Sequence, residues 1–378
     1  MYQMEFTPQR LERVHRSMDH EGVEAIIVTR RSDVQYLTGY ESPQEYIPTG
    51  CLVVKNENPR LIVSELQREL LVAESVMGKV LTFQDETTER WYSTYTPEFW
   101  KRIVQTIRDS GVEKSMIGLQ HDWLTIDEFD LLKNALPGAG FKDYSPALYR
   151  LRQVKDHSEI DTIRRAISVA EIGIRTALEI VTAGKTESEA SLEIEAAMRG
   201  AGGQRRGIRA AVLTGSHARY PFAQPGPQRI EEEDLVIIDI TVSHLGYFAE
   251  IARTVHAATP SKEQSAAFKG ILDLTSRFEE ILVSGTSVKE IGKAIYDEFQ
   301  KKGPDWNLYK PYGNSIGLDL IEPPFLMPDS EGTLREGMVL SMTPICADPE
   351  QGAVKISDMY LITENGPENL TNLTRETM

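Results

Sequence analysis

Two acidic residues in neighbouring apolar segments are the first candidates for chemistry in this sequence. Asp239 and Glu250 lie 11 residues apart, in the predicted strands Leu235–Ile240 and Ala249–Val255. Two carboxylates in one buried site repel each other, and burial raises the pKa of one of them towards a value that suits acid or base catalysis. The pair could therefore act as acid and base, hold a cationic amine or guanidinium, or persist as a hydrogen-bonded part of an inactive site.

A histidine precedes these strands in a loop. His217 lies in the run 214–220, which reads Thr-Gly-Ser-His-Ala-Arg-Tyr. Because imidazole titrates near neutral pH, His217 is a candidate proton shuttle if the loop reaches the acidic pair. The alternative is a hydrogen-bonded loop residue, and Tyr220 is in the same way either pocket wall or plain surface.

The composition is that of a globular protein with an excess of acidic residues. The 378 residues are 40% hydrophobic and 26% charged, with a net charge of −16. That charge argues against nucleic acid as a partner, because phosphate binding needs a basic surface. With neither an apolar stretch long enough for a membrane span nor a secretory signal at its start, the sequence predicts a soluble, cytoplasmic protein. Cys51 and Cys346 are too few for a disulfide framework or a thiolate metal site, which predicts buried thiols.

The densest basic run is 204–209, which reads Gln-Arg-Arg-Gly-Ile-Arg. Its arginines could meet an anionic group of a substrate. The alternative is a solvated or partner-facing loop, which is what most charge runs form.

The pattern of elements predicts two domains. Residues 1–150 alternate helical and strand-like segments, which indicates an α/β domain. Its predicted elements are the helix Pro8–Glu21 and the strands Ala25–Val28, Cys51–Val54, Arg60–Val63 and Met116–Gly118. The segment 145–158 combines a proline, mixed charges and weak periodicity, so it is predicted as the junction. The second domain, 158–378, begins with a long amphipathic helix.

The second domain contains an internal repeat. Two copies of one motif lie 101 residues apart, Gly184-x-Thr186-x-x-Glu189 and Gly285-x-Ser287-x-x-Glu290. Both copies have the pattern of a capping box, in which a hydroxyl and a glutamate satisfy backbone N–H groups at the start of a helix. Apolar strands follow each copy, at Leu235–Ile240 and Ala249–Val255, then at Met338–Met342 and Ala353–Thr363. The repeat predicts two related halves, with a site at the seam between them.

Several motifs of the chain resemble the creatinase/prolidase/methionine aminopeptidase superfamily. In the second domain they are 234–239 with 246–254, 313–324, 336–344 and 354–358. The segments 36–39 and 151–155 are similar to the N-terminal domain and the junction of the creatinase and Xaa-Pro peptidase branch. The resemblance implies an α/β (α+β) protein with a creatinase-like N-terminal domain and a pita-bread domain with a pseudo-two-fold repeat. It also implies a homodimer.

The resemblance further implies where the metals of this superfamily would bind. The five ligand positions fall on Asp239, Glu250, Asn314, Thr343 and Ser357. Only the first two are carboxylates, and neutral oxygens cannot balance two dications. The positions of two substrate-side histidines hold Phe222 and Ile321. We therefore expect no metal and no other cofactor; the alternative is a single bound metal with unusual ligands.

These observations favour a metal-independent, creatinase-like hydrolase that cleaves a C–N bond of a small polar or cationic amide, amidine or amino-acid derivative. Its predicted catalytic residues are Glu250, Asp239 and His217. Its predicted substrate-binding residues are Phe222, Tyr220, Asn314, Ile321, Thr343 and Ser357. One alternative is a catalytically silent pita-bread protein that binds a partner or small ligand. A metal-dependent Xaa-Pro peptidase is the other alternative.

Overall fold

The fold has two compact units, each with its own apolar core. The computed structural model describes residues 7–42, 47–69, 71, 79–84, 97–204, 206–220, 222–302 and 306–377. Contacts within the chain divide it into Met1–Arg152 and Gln153–Met378. No helix in this described part of the chain is long and apolar enough to cross a membrane.

The first unit is an α/β domain around a mixed six-stranded sheet. Its strands are β1 (Ala25–Val28), β2 (Gly50–Val54), β3 (Arg60–Ser64), β4 (Lys79–Phe83), β5 (Met116–Leu119) and β6 (Gly140–Asp143), in the order β4-β3-β2-β1-β5-β6. Its helices are Pro8–Glu21, Arg31–Thr38, Pro97–Asp109, Ile126–Ala135 and Ser145–Gln153. Strands β1, β2 and β3 pair antiparallel, whereas β4, β5 and β6 each pair parallel with a neighbour.

Local signals set the first helix where the sequence predicts it. The Thr7 hydroxyl caps the start of Pro8–Glu21, and Gly22 ends it in the left-handed conformation, with φ of 68°. A proline in the first turn costs no hydrogen bond, because that N–H has no partner within a helix. Val14 and Met18 are fully buried on one face.

In its described residues the second unit has three antiparallel sheets, covered by long helices. Its helices are His157–Ile180, Glu187–Gly200, Lys262–Ile281 and Val288–Lys302. The strands are β7 (Arg209–Thr214), β8 (Leu235–His244), β9 (Tyr247–His256), β10 (Asn307–Leu308), β11 (Gly313–Ser315), β12 (Glu322–Phe325), β13 (Val339–Met342), β14 (Ile345–Asp348), β15 (Gly352–Lys355), β16 (Asp358–Thr363) and β17 (Gly366–Asn369). The sheet orders are β7-β8-β9, β12-β11-β13-β16-β17 and β10-β14-β15.

The internal repeat is visible in the backbone. Gly184 and Gly285 have φ of 91° and 90°, and their N–H groups donate to the carbonyls of Ile230 and Leu334, at 2.8 and 2.9 Å. The first capping box forms, with Thr186 as the cap. The two copies of the motif therefore form the same glycine turn, as the predicted repeat requires.

One predicted strand is divided in two. The segment Ala353–Thr363 forms β15 and β16, which belong to different sheets. Between them Ser357 pairs with Ala252 of β9, donating its N–H to the Ala252 carbonyl at 3.0 Å. The break therefore connects the second half of the unit to the strand that bears Glu250.

Candidate functional site

Strand register places Asp239 and Glu250 on one face of the β7-β8-β9 sheet. Asp239 lies opposite Ala252, and Glu250 lies opposite Thr241. Because side chains alternate between faces, residues two apart on a strand share a face, so the two acids are diagonal neighbours. A tight turn at Leu245 and Gly246, with φ of 47° and 77°, fixes this register.

A lysine lies between the two acids. Lys355 Nζ is 3.0 Å from Asp239 Oδ2 and 3.1 Å from Glu250 Oε1. The three side chains are 12%, 6% and 12% exposed, so these ion pairs are shielded from solvent. Lys355 therefore compensates the repulsion that would otherwise separate the two acids.

Two further side chains complete the cluster. Arg209 Nη2 lies 2.9 Å from Asp239 Oδ2, and the Ser341 hydroxyl donates to Glu250 Oε2 at 2.9 Å. Arg209 comes from β7 and Ser341 from β13. The site thus draws on both halves of the repeat, and two carboxylates face two cations in it.

The charge of Lys355 is stabilised in this environment. Burial by itself lowers the pKa of Lys355, but the charges of Asp239 and Glu250 and their hydrogen bonds raise it above its ordinary value. The lysine is therefore a permanent cation at neutral pH.

One oxygen of the cluster has no hydrogen-bond partner among the described residues. Asp239 Oδ1 is buried and accepts no hydrogen bond from any residue in the described part of the chain. A buried acceptor without a donor costs about 1–3 kcal/mol. The arrangement therefore favours a ligand or water that brings an N–H or O–H donor to Asp239.

The three neutral residues at ligand positions do not bond to the acids in this structure. Asn314 Nδ2 donates to the carbonyls of Ser315 and Leu320, at 2.7 and 3.2 Å. The Ser357 hydroxyl donates to the Met342 carbonyl at 3.2 Å. Thr343 is buried. Asn314 and Ser357 thus hold the backbone around the cluster, and their role as substrate-binding donors stays a prediction.

His217 contacts Glu187, not the pair Asp239 and Glu250 that the sequence suggests. Its Nδ1 lies 2.9 Å from both oxygens of Glu187, which is fully buried and also accepts from the N–H groups of Thr214 and Gly226. The side chain of His217 is 23% exposed. Glu187 therefore orients the imidazole, and no hydrogen bond joins His217 to Asp239 or Glu250.

Three of the predicted substrate-binding residues have exposed aromatic or aliphatic side chains. Phe222, Tyr220 and Ile321 are 88%, 52% and 56% exposed. Side chains this exposed do not shield the acids, and their role in binding substrate stays a prediction. The strands and Lys355 shield them instead.

Sequence reasoning missed Lys355, Arg209 and Ser341. Lys355 lies two residues before the ligand position Ser357, and strand alternation could have flagged it as a neighbour of the site. Arg209 ends the basic run, for which the alternatives were an anionic substrate group and a solvated or partner-facing loop; its guanidinium contacts Asp239. Nothing in the sequence around Ser341 distinguishes it from other strand serines.

The arrangement does not fit the pair of metal ions that the resemblance implies. Among the described residues, no three His, Cys, Asp or Glu side chains gather where they could hold a metal. Lys355 Nζ lies where a cation between Asp239 and Glu250 would be held. Two like unit charges about 4 Å apart repel each other by about 4 kcal/mol at an effective dielectric constant of about 20. The repulsion between an ammonium and a dication at that distance is about twice as large.

The fold, with Asp239 and Glu250 between the two halves of the second unit, defines a two-domain pita-bread protein. Residues 10–154 match the model of the creatinase/prolidase N-terminal domain, and residues 161–364 match that of metallopeptidase family M24. The chain therefore belongs to metallopeptidase family M24, a family of hydrolases that act on peptide C–N bonds. The predicted fold class is confirmed.

Full-length relatives come from the prolidase branch. An Xaa-Pro dipeptidase of Pyrococcus furiosus is 27% identical over 370 residues, which cover 97% of this chain and 99% of the relative. An Xaa-Pro dipeptidase of Pyrococcus horikoshii is 26% identical over 373 residues, which cover 99% of each chain.

Solved structures show the same fold. The prolidase from Pyrococcus horikoshii OT3 superposes with a TM-score of 0.82 at 24% identity, covering 98% of this chain and 100% of its own. An Xaa-Pro dipeptidase from Bacillus anthracis has a TM-score of 0.85 at 22% identity, covering 98% and 99%.

The expectation of a metal-independent, creatinase-like hydrolase is wrong. The family model and the full-length relatives named Xaa-Pro dipeptidase point to the prolidase branch instead. The geometry adds a physical reason. Glu250 has both oxygens engaged, with Lys355 and with Ser341, so it is not poised as a free base.

Proposed function

We propose that this chain is a prolidase-like protein of family M24 whose site takes short peptides with an Xaa-Pro bond. The likeness to Xaa-Pro dipeptidases over 97% and 99% of the chain carries this proposal. The chemistry of the site supports it, because Asp239 Oδ1 is a buried acceptor that suits the ammonium or amide N–H of a peptide.

The proposal includes a degenerate metal site. Of the five ligand positions, only Asp239 and Glu250 keep a carboxylate, and both are bonded to Lys355. Paired metals that activate water contribute several kcal/mol to peptide hydrolysis. We therefore expect hydrolysis of Xaa-Pro dipeptides to be at least about 10³-fold slower than by the Pyrococcus furiosus relative under identical conditions with Mn²⁺.

Calorimetric titration with Ala-Pro and Leu-Pro tests the ligand class. The sequence-reversed peptides Pro-Ala and Pro-Leu are matched controls of the same composition and charge. We expect the Xaa-Pro peptides to bind at least about tenfold more tightly than their reversed partners. Equal affinity for both orders, or no heat with either, would refute the proposed ligand class.

A metal-dependent Xaa-Pro dipeptidase is the second candidate function. The names of the full-length relatives favour it. Release of free proline, measured with excess Mn²⁺ or Co²⁺, separates the two candidates. Turnover at the rate of the relative would establish the second candidate and remove the degenerate site from the proposal.

We also propose that the chain forms a homodimer, as the family resemblance implies. Light scattering of the protein as it elutes from a size-exclusion column should give a mass twice the 42.5 kDa of one chain. A mass of one chain at micromolar concentration would contradict the dimer.

A further inference from the structure

The lysine between the two acids is held in place from its backbone outwards. The Lys355 N–H donates to the Thr254 hydroxyl at 2.8 Å, and that hydroxyl donates back to the Lys355 carbonyl at 2.9 Å. Thr254 is fully buried on β9, four residues beyond Glu250. Lys355 is therefore not a mobile surface lysine, because its main chain is fixed to the strand that bears one of its partners.

The side chain reaches both acids at once. The ammonium has three N–H donors and uses two of them on Asp239 Oδ2 and Glu250 Oε1. Two buried carboxylates without a cation would repel each other, and in a metal-loaded site that cation is the metal. Here the cation is covalently part of the chain.

Arg209 completes the charge balance. Its guanidinium lies 2.9 Å from Asp239 Oδ2, on the side of β8 that faces β7. Two carboxylates and two cations make the cluster neutral. A dication entering this neutral cluster would meet two positive charges at short range and gain no net attraction.

From these contacts we infer that Lys355, assisted by Arg209, is a built-in cation that takes the place of the family's metal pair. The cluster holds its acids together without any metal ion. This inference rests on the degenerate metal site of the proposed function and deepens it, since it names what balances the two acids. Its test contains no peptide, so its failure is distinguishable from failure of the proposed ligand class.

The first measurement is metal content. The wild-type protein is incubated with excess Mn²⁺, Co²⁺ or Zn²⁺, desalted and analysed by mass spectrometry of the elements. We expect far less than one metal ion per chain. Two tightly held ions per chain would overturn the inference outright.

The second measurement removes the cation and keeps the shape. In Lys355→Met the acids lose their internal partner, so Mn²⁺, which prefers oxygen ligands, should bind at least about tenfold more tightly than to wild type by calorimetry. The matched control is Lys185→Met, which breaks a lysine–glutamate pair of 3.0 Å with Glu193 outside the cluster and should leave Mn²⁺ binding unchanged. Equal Mn²⁺ affinity in wild type and Lys355→Met would contradict the inference.

A double variant guards against poor folding of the single one. Lys355→Met combined with Glu250→Gln leaves only one charged acid beside Arg209, so it should fold like wild type and lose the gained Mn²⁺ affinity. Tight Mn²⁺ binding by this double variant would show that the ion binds elsewhere and would overturn the inference.

Discussion

At the scale of single residues, several buried cations of the second unit each bind more than one partner. Lys355 joins Asp239 to Glu250, and Arg253 joins Asp358 to the carbonyls of Leu373 and Thr374. Breaking a buried ion pair from one side leaves an uncompensated charge, which costs more than the pair itself contributes. The predictions at this scale follow from that asymmetry.

Lys355→Met should lower the free energy of unfolding by about 3 kcal/mol, because it leaves two buried acids facing each other. Adding Glu250→Gln removes one of those charges and should restore more than half of the loss. Urea unfolding of wild type, both single variants and the double variant measures this coupling. Additive losses would show that Lys355 and Glu250 do not interact.

Arg253→Met should lower the free energy of unfolding by about 3–5 kcal/mol. Arg253 is fully buried, donates to Asp358 at 2.8 Å, and binds the carbonyls of Leu373 and Thr374 at 3.2 and 2.7 Å. Its loss should also release the segment around Leu373 and Thr374, which faster amide hydrogen exchange in that segment would detect. The control Arg164→Met removes an exposed pair with Glu368 and should change stability by about 0.5 kcal/mol or less.

At the scale of elements, the two halves of the second unit have the same glycine turn before a helix. The turns before Glu187–Gly200 and Val288–Lys302 each need a glycine with φ near 90°. A Cβ added at Gly184 or Gly285 would contact nothing within 4 Å, so any cost comes from the backbone conformation alone.

Gly184→Ala and Gly285→Ala should each destabilise the protein, by about 1 kcal/mol and to a similar extent, because alanine is strained at positive φ. Gly200→Ala is the matched control, since Gly200 ends a helix, has equally open surroundings and lies outside the positive-φ region. That substitution should stabilise the helix by about 0.5 kcal/mol. Thermal unfolding of the three variants gives the comparison, and unequal losses at Gly184 and Gly285 would count against equivalent turns.

A histidine at the end of β8 predicts sensitivity to acid. Burial lowers the pKa of His244 below its usual 6.5, and the charge of Arg165 lowers it further. Below about pH 6.5 His244 is protonated more in the unfolded chain than in the folded one. The free energy of unfolding therefore falls as the pH drops through 6.5. His244→Gln should flatten this fall, as measured by unfolding between pH 5 and 8. A residual slope is expected from His15, whose pKa burial also lowers, but an unchanged slope would contradict the role of His244.

At the scale of the whole molecule, the excess of acidic residues acts on stability. A net charge of −16 makes the folded chain repel itself, and salt screens that repulsion. The melting temperature should therefore rise when NaCl is raised from about 0.05 to about 0.5 M at pH 7. A melting temperature that falls with salt would show that shielded ion pairs outweigh the surface repulsion.

The sequence by itself determined most of the elements of this protein. The helix Pro8–Glu21, the strand Ala25–Val28 and the repeat around Gly184 and Gly285 follow from local signals, because caps, apolar periodicity and glycine conformations act over a few residues. The sequence also predicted the two acids as site residues and contained the superfamily motifs. The merging of β15 and β16 into one predicted strand was an error of the same local reasoning, since only the pairing of Ser357 with Ala252 divides them.

Only the tertiary structure decided what surrounds the acids. Asp239 and Glu250 gain Lys355 from more than 100 residues along the chain, Arg209 from β7 and Ser341 from β13. Such neighbours depend on strand register and on how the halves pack, and one residue of register reverses which face a side chain occupies. The sequence does not show that Lys355 is the counter-ion of the two acids, because its ammonium contacts them only when distant strands pack together.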